Sequence, residues 1–251
     1  MTKSVPSIAE DSRPLPSPVW RTWPWWPLQT MMQGLAPLWF RYRADGLENL
    51  PGDSGALLLI NHRSFVDPVF AGLAVNRPVS FVARHNLFQV PLFGELLRRT
   101  YVIPINRDAA GTSSLREIVR RLEHGFLVGL FPEGTRYAGS GSLGSLKPGF
   151  VSILRRAKVP VIPVGIAGAS AVMPRGTVLI RPCPVRVVFG EPIPASRITE
   201  LSTRGREQEL LELVATCMSE TVNAAEEWLA RSDDTAHMTR LTVVEQPPGP
   251  C

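Results

Sequence analysis

Apolar residues enter this chain in two rhythms, and the regular alternation between them begins near Gly46. Short unbroken runs, Ala56–Ile60, Phe126–Phe131 and Val159–Ile166, are bounded by Gly, Pro or polar residues and read as strands covered on both faces. Val79–Ala83 and Tyr101–Ile105 are similar. Between these runs apolar positions return at three- and four-residue steps, the spacing of one helix face. Pro68–Ala74, Leu92–Arg99, a stretch from Ser114 stopped by Gly125, and Pro148–Ala157 fit that spacing. Ser114-Leu115-Arg116-Glu117 has capping-box form, and Asp67-Pro68 that of a helix start whose Asp caps the first free amides. Val178–Ile180 and Val185–Phe189 read as a closing hairpin or edge pair. A long amphipathic helix from about Arg206 to Ala230 carries Leu210, Val214, Cys217, Thr221, Ala225 and Trp228 at three- and four-residue steps, beside Leu211, Met218, Val222 and Leu229, and is expected to cover the core. The alternation predicts an α/β domain over residues 46–231, a mostly parallel central sheet flanked by helices.

The ends differ in character. Residues 1–19 hold four prolines and little apolar material, and residues 232–251 are polar and end in prolines, so both read as disordered tails. Between the first tail and the domain, residues 20–45 contain Trp20, Trp23, Trp25, Trp26 and Trp39, five of the six tryptophans, flanked by Arg21, Arg41 and Arg43. Trp favours the lipid headgroup layer and Arg pairs with lipid phosphates, so a membrane-interfacial arm is expected, with an arm packed on the core as the alternative. Pro24, Pro27 and Pro37 argue against one long helix and leave a short one near Leu28–Ala36.

Composition narrows the partners. The 251 residues are 44% hydrophobic and 20% charged, ordinary for a globular protein, with net charge +5 and a pI near 9.6. An acidic partner is expected, such as anionic lipid or a phosphorylated substrate. The basic residues are dispersed and no nucleic-acid motif occurs, which argues against nucleic acid. Cys183, Cys217 and Cys251 lack the spacing of a disulfide framework or a zinc site and fit a reducing compartment. No signal-peptide core is evident, and the uncharged stretch Val159–Pro174 is too short and too rich in Pro and Gly to span a bilayer. Any membrane attachment is expected to be peripheral, at the cytoplasmic face.

Ligands of parallel sheets bind beyond the carboxyl ends of the strands. Three expected strands end in polar groups: His62 with Asp67, then Arg107, then Glu133 with Arg136. Five residues apart on one helix, His62 and Asp67 would not meet, but a strand–loop–helix corner lets the loop fold back. A carboxylate on one ring nitrogen leaves the other to act as a general base. Arg107 and Arg136 are permanently charged forks suited to phosphate, and Gly134 permits a tight turn beside a ligand. Glu133 is expected to tie one arginine in place or to accept from a ligand hydroxyl. Lys147, one of three lysines, precedes Pro148-Gly149 at a helix start, where a donor can stabilise an oxyanion. Ser64 lacks a nucleophile-elbow context, so a base that activates a substrate hydroxyl is expected rather than an acyl-enzyme.

These blocks resemble a known family. Asn61-His62 with Asp67 resembles the HxxxxD motif of the PlsC-like glycerolipid acyltransferases, the 1-acylglycerol-3-phosphate acyltransferases. Tyr101–Arg107 looks like their second block, Phe131-Pro132-Glu133-Gly134-Thr135-Arg136 matches the third, and Val159–Ile166 is similar to the fourth. The resemblance implies fatty acyl transfer from a CoA or acyl-carrier-protein thioester to a glycerolipid hydroxyl such as that of lysophosphatidic acid, without metal or other cofactor. It implies His62 as general base and Asp67 as its orienting partner, with Arg107, Glu133, Gly134 and Arg136 on the acceptor's phosphate and glycerol. It places Lys147 and Gly149 near the reacting carbonyl. A different lyso-lipid acceptor, a metal-assisted hydrolase and a non-catalytic lipid-binding module are the alternatives.

Overall fold

A computed structural model describes residues 15, 17, 18, 25–105, 112–139, 143–203 and 205–244. In chain order its elements are α1 (Trp25–Trp39), β1 (Arg43–Asp45), β2 (Ala56–Ile60), α2 (Asp67–Leu73), β3 (Val79–Arg84), α3 (Phe93–Arg99), β4 (Ile103–Ile105), α4 (Thr112–Glu123), β5 (Leu127–Leu130), α5 (Gly149–Ala157), β6 (Val161–Ala167), α6 (Ala169–Val172), β7 (Arg186–Phe189), α7 (Ala195–Leu201) and α8 (Glu207–Val244). The strands form one sheet in the order β1-β7-β6-β2-β5-β3-β4. Neighbours run parallel except β6 and β7, so the sheet is mostly parallel, with β1 and β7 opposed to the other five.

The unbroken apolar run of β2 follows from its place between β5 and β6, and all five of its residues are buried. Leu57 and Leu59 pack into one core layer with Ile118 and Leu122 of α4, Phe150 and Leu154 of α5, and Leu210, Val214 and Met218 of α8. Ala56, Leu58 and Ile60 enter the other layer with Phe70, Ala71 and Leu73 of α2, Val172 of α6, and Ala36 and Tyr42. Burying each such leucine contributes about 2 kcal/mol, so two filled faces make β2 the rigid centre of the sheet. Gly165 lets α8 approach β6, since a Cβ there would stand 2.4 Å from the Thr221 carbonyl oxygen.

Several local expectations are corrected. The prolines do not confine α1 to Leu28–Ala36. Pro27 is its third residue, where a missing N–H has no intrahelical bond to lose, and Pro37 falls in the last turn. Gln29 and Gln33 dock α1 on the end of α2 by donating to the carbonyls of Gly72, Val75 and Leu73, and β1 joins the sheet from within the segment expected as an arm. Ser114 does not cap α4, which includes Thr112; its hydroxyl donates to Pro104 O, and Glu117 pairs with Arg120 and Arg121. Val178–Ile180 is no strand, and β7 pairs with β6 and β1 instead. The backbone of α8 continues past Ala230 to Val244. Trp20, Trp23 and nearly all of the expected tail 1–19 lie outside the described residues.

Candidate active site

The carboxyl ends of β2 and β5 are neighbours because the two strands pair in parallel. That pairing brings together two loops 71 residues apart in sequence. Asn61 closes β2 with a two-point clamp on β6: its side-chain oxygen accepts from Ile166 N–H at 2.8 Å and its amide nitrogen donates to Ile166 O at 3.0 Å. The chain then turns sharply through His62, Arg63 and Ser64 before α2 begins.

Asp67 organises that turn. Its Oδ2 lies 2.9 Å from His62 Nδ1 and accepts from the backbone N–H groups of Arg63 and Ser64, each at 2.7 Å. It does not cap α2: Val66 holds the cap position without a side-chain bond, and the carboxylate reaches back into the loop. A carboxylate receiving two amides is an acceptor, so the third contact is His62 Nδ1–H donating to Oδ2, which leaves Nε2 with its lone pair. Asp67 is 1% exposed, whereas the His62 side chain is 20% exposed, enough to meet a ligand. Phe131 covers one face of the imidazole, with ring centroids 4.2 Å apart and planes tilted by 33°.

The second loop locks the first. Glu133 Oε1 accepts the His62 backbone N–H at 2.9 Å, and Tyr137 N–H donates to His62 O at 2.7 Å. Among the described residues Glu133 ties no arginine; it is buried and holds the backbone of the histidine. Its carboxyl is buried, and desolvation raises its pKa from the ordinary value of 4.5, against the lowering effect of the His62 amide. A carboxyl raised on folding keeps its proton longer in the folded than in the unfolded chain, so stability falls as pH rises above 4.5 through the raised value. Glu133→Gln keeps an acceptor for His62 N–H and removes that penalty. Denaturant titrations should find the variant gaining on the parent across that window; parallel pH curves would refute this environment for Glu133.

Gly134, at φ 71°, makes the turn that carries the chain away from Glu133. The Lys147 side chain lies over it, with Nζ 3.2 Å from where a Cβ would stand, and Lys147 N–H donates to Pro132 O at 2.8 Å. Gly149 opens α5 two residues later, with open space where its side chain would be. Arg136 is half-buried one residue before Tyr137. Among the described residues, no side chain or carbonyl holds the charged end of Arg136 or Lys147. Arg107 lies outside the described residues. Reading along the chain had not singled out Arg84, an exposed guanidinium at the carboxyl end of β3, in register with Ile105 of β4. It also missed the Asn61 clamp and the Phe131 stack, contacts set by the sheet and carried by no local spacing. Among the described residues, no three His, Cys, Asp or Glu side chains group as metal ligands would.

An imidazole oriented by a buried carboxylate at the carboxyl edge of a mostly parallel sheet, with cations on the adjoining loop, fits an enzyme of the α/β class that uses a general base beside an anionic ligand. The chain belongs to the acyltransferase family, whose model matches residues 41–167. It is 29% identical over 177 residues to the 1-acyl-sn-glycerol-3-phosphate acyltransferase of Bacillus subtilis, covering 70% of this chain and 85% of that one. To a chloroplastic 1-acyl-sn-glycerol-3-phosphate acyltransferase of Arabidopsis thaliana it is 30% identical over 171 residues, 66% of this chain and 48% of the relative. The chain spans about half the length of this and the Brassica napus relative. Its fold matches the crystal structure of the 1-acyl-sn-glycerophosphate acyltransferase PlsC from Thermotoga maritima with TM-score 0.65 and 26% identity, over 79% of this chain and 78% of that one. Among the described residues, no helix is long and apolar enough to cross a membrane.

Proposed function

We propose that this enzyme transfers a fatty acyl group from a thioester donor, acyl-CoA or acyl carrier protein, to the free hydroxyl of 1-acyl-sn-glycerol-3-phosphate, giving phosphatidic acid. The observation that carries the reading is the 2.9 Å His62–Asp67 hydrogen bond, set at the edge where β2 and β5 end. The names of its relatives support this acceptor.

His62 Nε2 takes the proton of the acceptor hydroxyl as the oxygen attacks the thioester carbonyl carbon. Asp67 stabilises the imidazolium that forms. The tetrahedral oxyanion faces Lys147 and the first amides of α5 at Gly149. Its collapse breaks the C–S bond, and the departing thiolate takes the proton back from His62. Arg136 and Arg107 hold the acceptor's phosphate, Glu133 fixes the His62 backbone, and Gly134 leaves room for Lys147. The reaction so written uses no resident metal or cofactor. Exposed Trp26 and Trp39 on α1 and the net charge of +5 support work at a membrane surface, peripherally on its cytoplasmic face.

Purified enzyme incubated with lysophosphatidate and either donor should form phosphatidate, detected by mass spectrometry. Acylation of other lyso-lipids with none of lysophosphatidate would overturn the acceptor. Arg136→Ala removes a charge-assisted contact worth roughly 1.5–3 kcal/mol, so KM for lysophosphatidate should rise about tenfold or more while KM for the donor holds. A rise confined to the donor would reassign the arginine.

A further inference from the structure

The segment Pro174–Pro184 leaves the carboxyl end of β6 through α6 and returns into β7. Its tip presents three aliphatic side chains in succession: Val178, Leu179 and Ile180 are 90%, 64% and 51% exposed. Arg175 and Arg181, both exposed, flank them. The base is tied to the catalytic corner, since Ser64 Oγ donates to Met173 O at 3.1 Å. It is also joined to the end of α1: Val185 N–H donates to Phe40 O at 3.0 Å, and Arg43 N–H donates to Val185 O at 3.2 Å. Leu38 and Trp39, 82% and 59% exposed, precede that junction. Two separate apolar projections thus rise from the edge that carries His62.

We propose that the Val178–Ile180 tip is a second membrane-inserting element, which together with the end of α1 seats this edge of the sheet against an anionic bilayer. The proposal rests on the lipid-acylation reading, because acceptor and product of that reaction reside in a bilayer. Charge selects the occupant: residues 134–190 contain no Asp or Glu, and Arg136, Lys147, Arg175 and Arg181 lie on loops at this edge. An aliphatic tip between guanidinium groups matches hydrocarbon below a layer of phosphates.

The test is co-sedimentation of the full chain with phosphatidylcholine vesicles, with and without phosphatidylglycerol. The double variant Val178→Asp, Leu179→Asp should lower the partition coefficient about tenfold or more. Arg175→Gln with Arg181→Gln should lower the extra binding that phosphatidylglycerol confers, and an unchanged increment would remove the guanidinium groups from the contact. Melting temperatures should stay at the parent value, since the tip touches nothing in the core. Unchanged partitioning of the Asp variant overturns the proposal. So does a parent dimer that the Asp variant splits while vesicle binding persists, since the tip would then be a protein interface. Partitioning is read without turnover, so tip-dependent binding in an enzyme that fails to acylate lysophosphatidate would remove the proposed function and leave this inference standing.

Discussion

His62→Ala should lower turnover by about three orders of magnitude, the usual contribution of a positioned general base. The loss should appear in kcat and leave lysophosphatidate binding intact, because the phosphate is assigned to Arg107 and Arg136. The fold should survive. His62 contributes its backbone to the loop lock through Glu133 and Tyr137, and those bonds do not involve the ring. Asp67 would keep the amides of Arg63 and Ser64. Steady-state kinetics with calorimetric binding on the same preparation check this. Wild-type turnover would refute the assignment, and loss of binding would move His62 into the acceptor site.

Asp67 separates two duties that one carboxylate performs. Asp67→Asn can leave its oxygen on the three donors, so the turn should keep its shape, while the negative charge opposite the imidazolium is lost. Turnover should fall about a hundredfold or more, with KM for both substrates little changed. Asp67→Ala also strands the buried N–H groups of Arg63 and Ser64, which should cost about 3 kcal/mol in unfolding free energy and turnover comparable to His62→Ala. Chemical denaturation and kinetics on both variants test the division. Equal stability of the two would show that the amide contacts contribute nothing to the loop.

The strands that build the site were legible because they are central. Residues 56–60, 127–130 and 161–166 are apolar without a break, and only a strand covered on both sides is stable with that composition. Their polar ends marked the site, and the structure brings two of them, His62 with Asp67 and Glu133 with its turn, into hydrogen-bond contact; the third, Arg107, lies outside the described residues. The role of Glu133 was not legible, because its partner is a backbone N–H on another loop and leaves no trace in spacing. Asp67 was misread in part: Asp-Pro does mark the start of α2, but strong donors in the loop draw its side chain away from the helix amides. Val178–Ile180 has the residues of a strand and the exposure of a surface loop, and β-branched content alone does not distinguish the two. The prolines of α1 misled because their cost depends on position within the helix.

The proton transfer itself can be isolated by changing the acceptor. A thiol ionises near pH 8.5 whereas an alcohol stays protonated, so a thiol acceptor needs little help from a base. The measurement is the ratio of wild-type to His62→Ala turnover on 1-acyl-sn-glycerol-3-phosphate and on its analogue with the free hydroxyl replaced by a thiol. If His62 takes the hydroxyl proton, the ratio should shrink from about a thousand on the alcohol to about ten or less on the thiol. The same large ratio on both acceptors would contradict it.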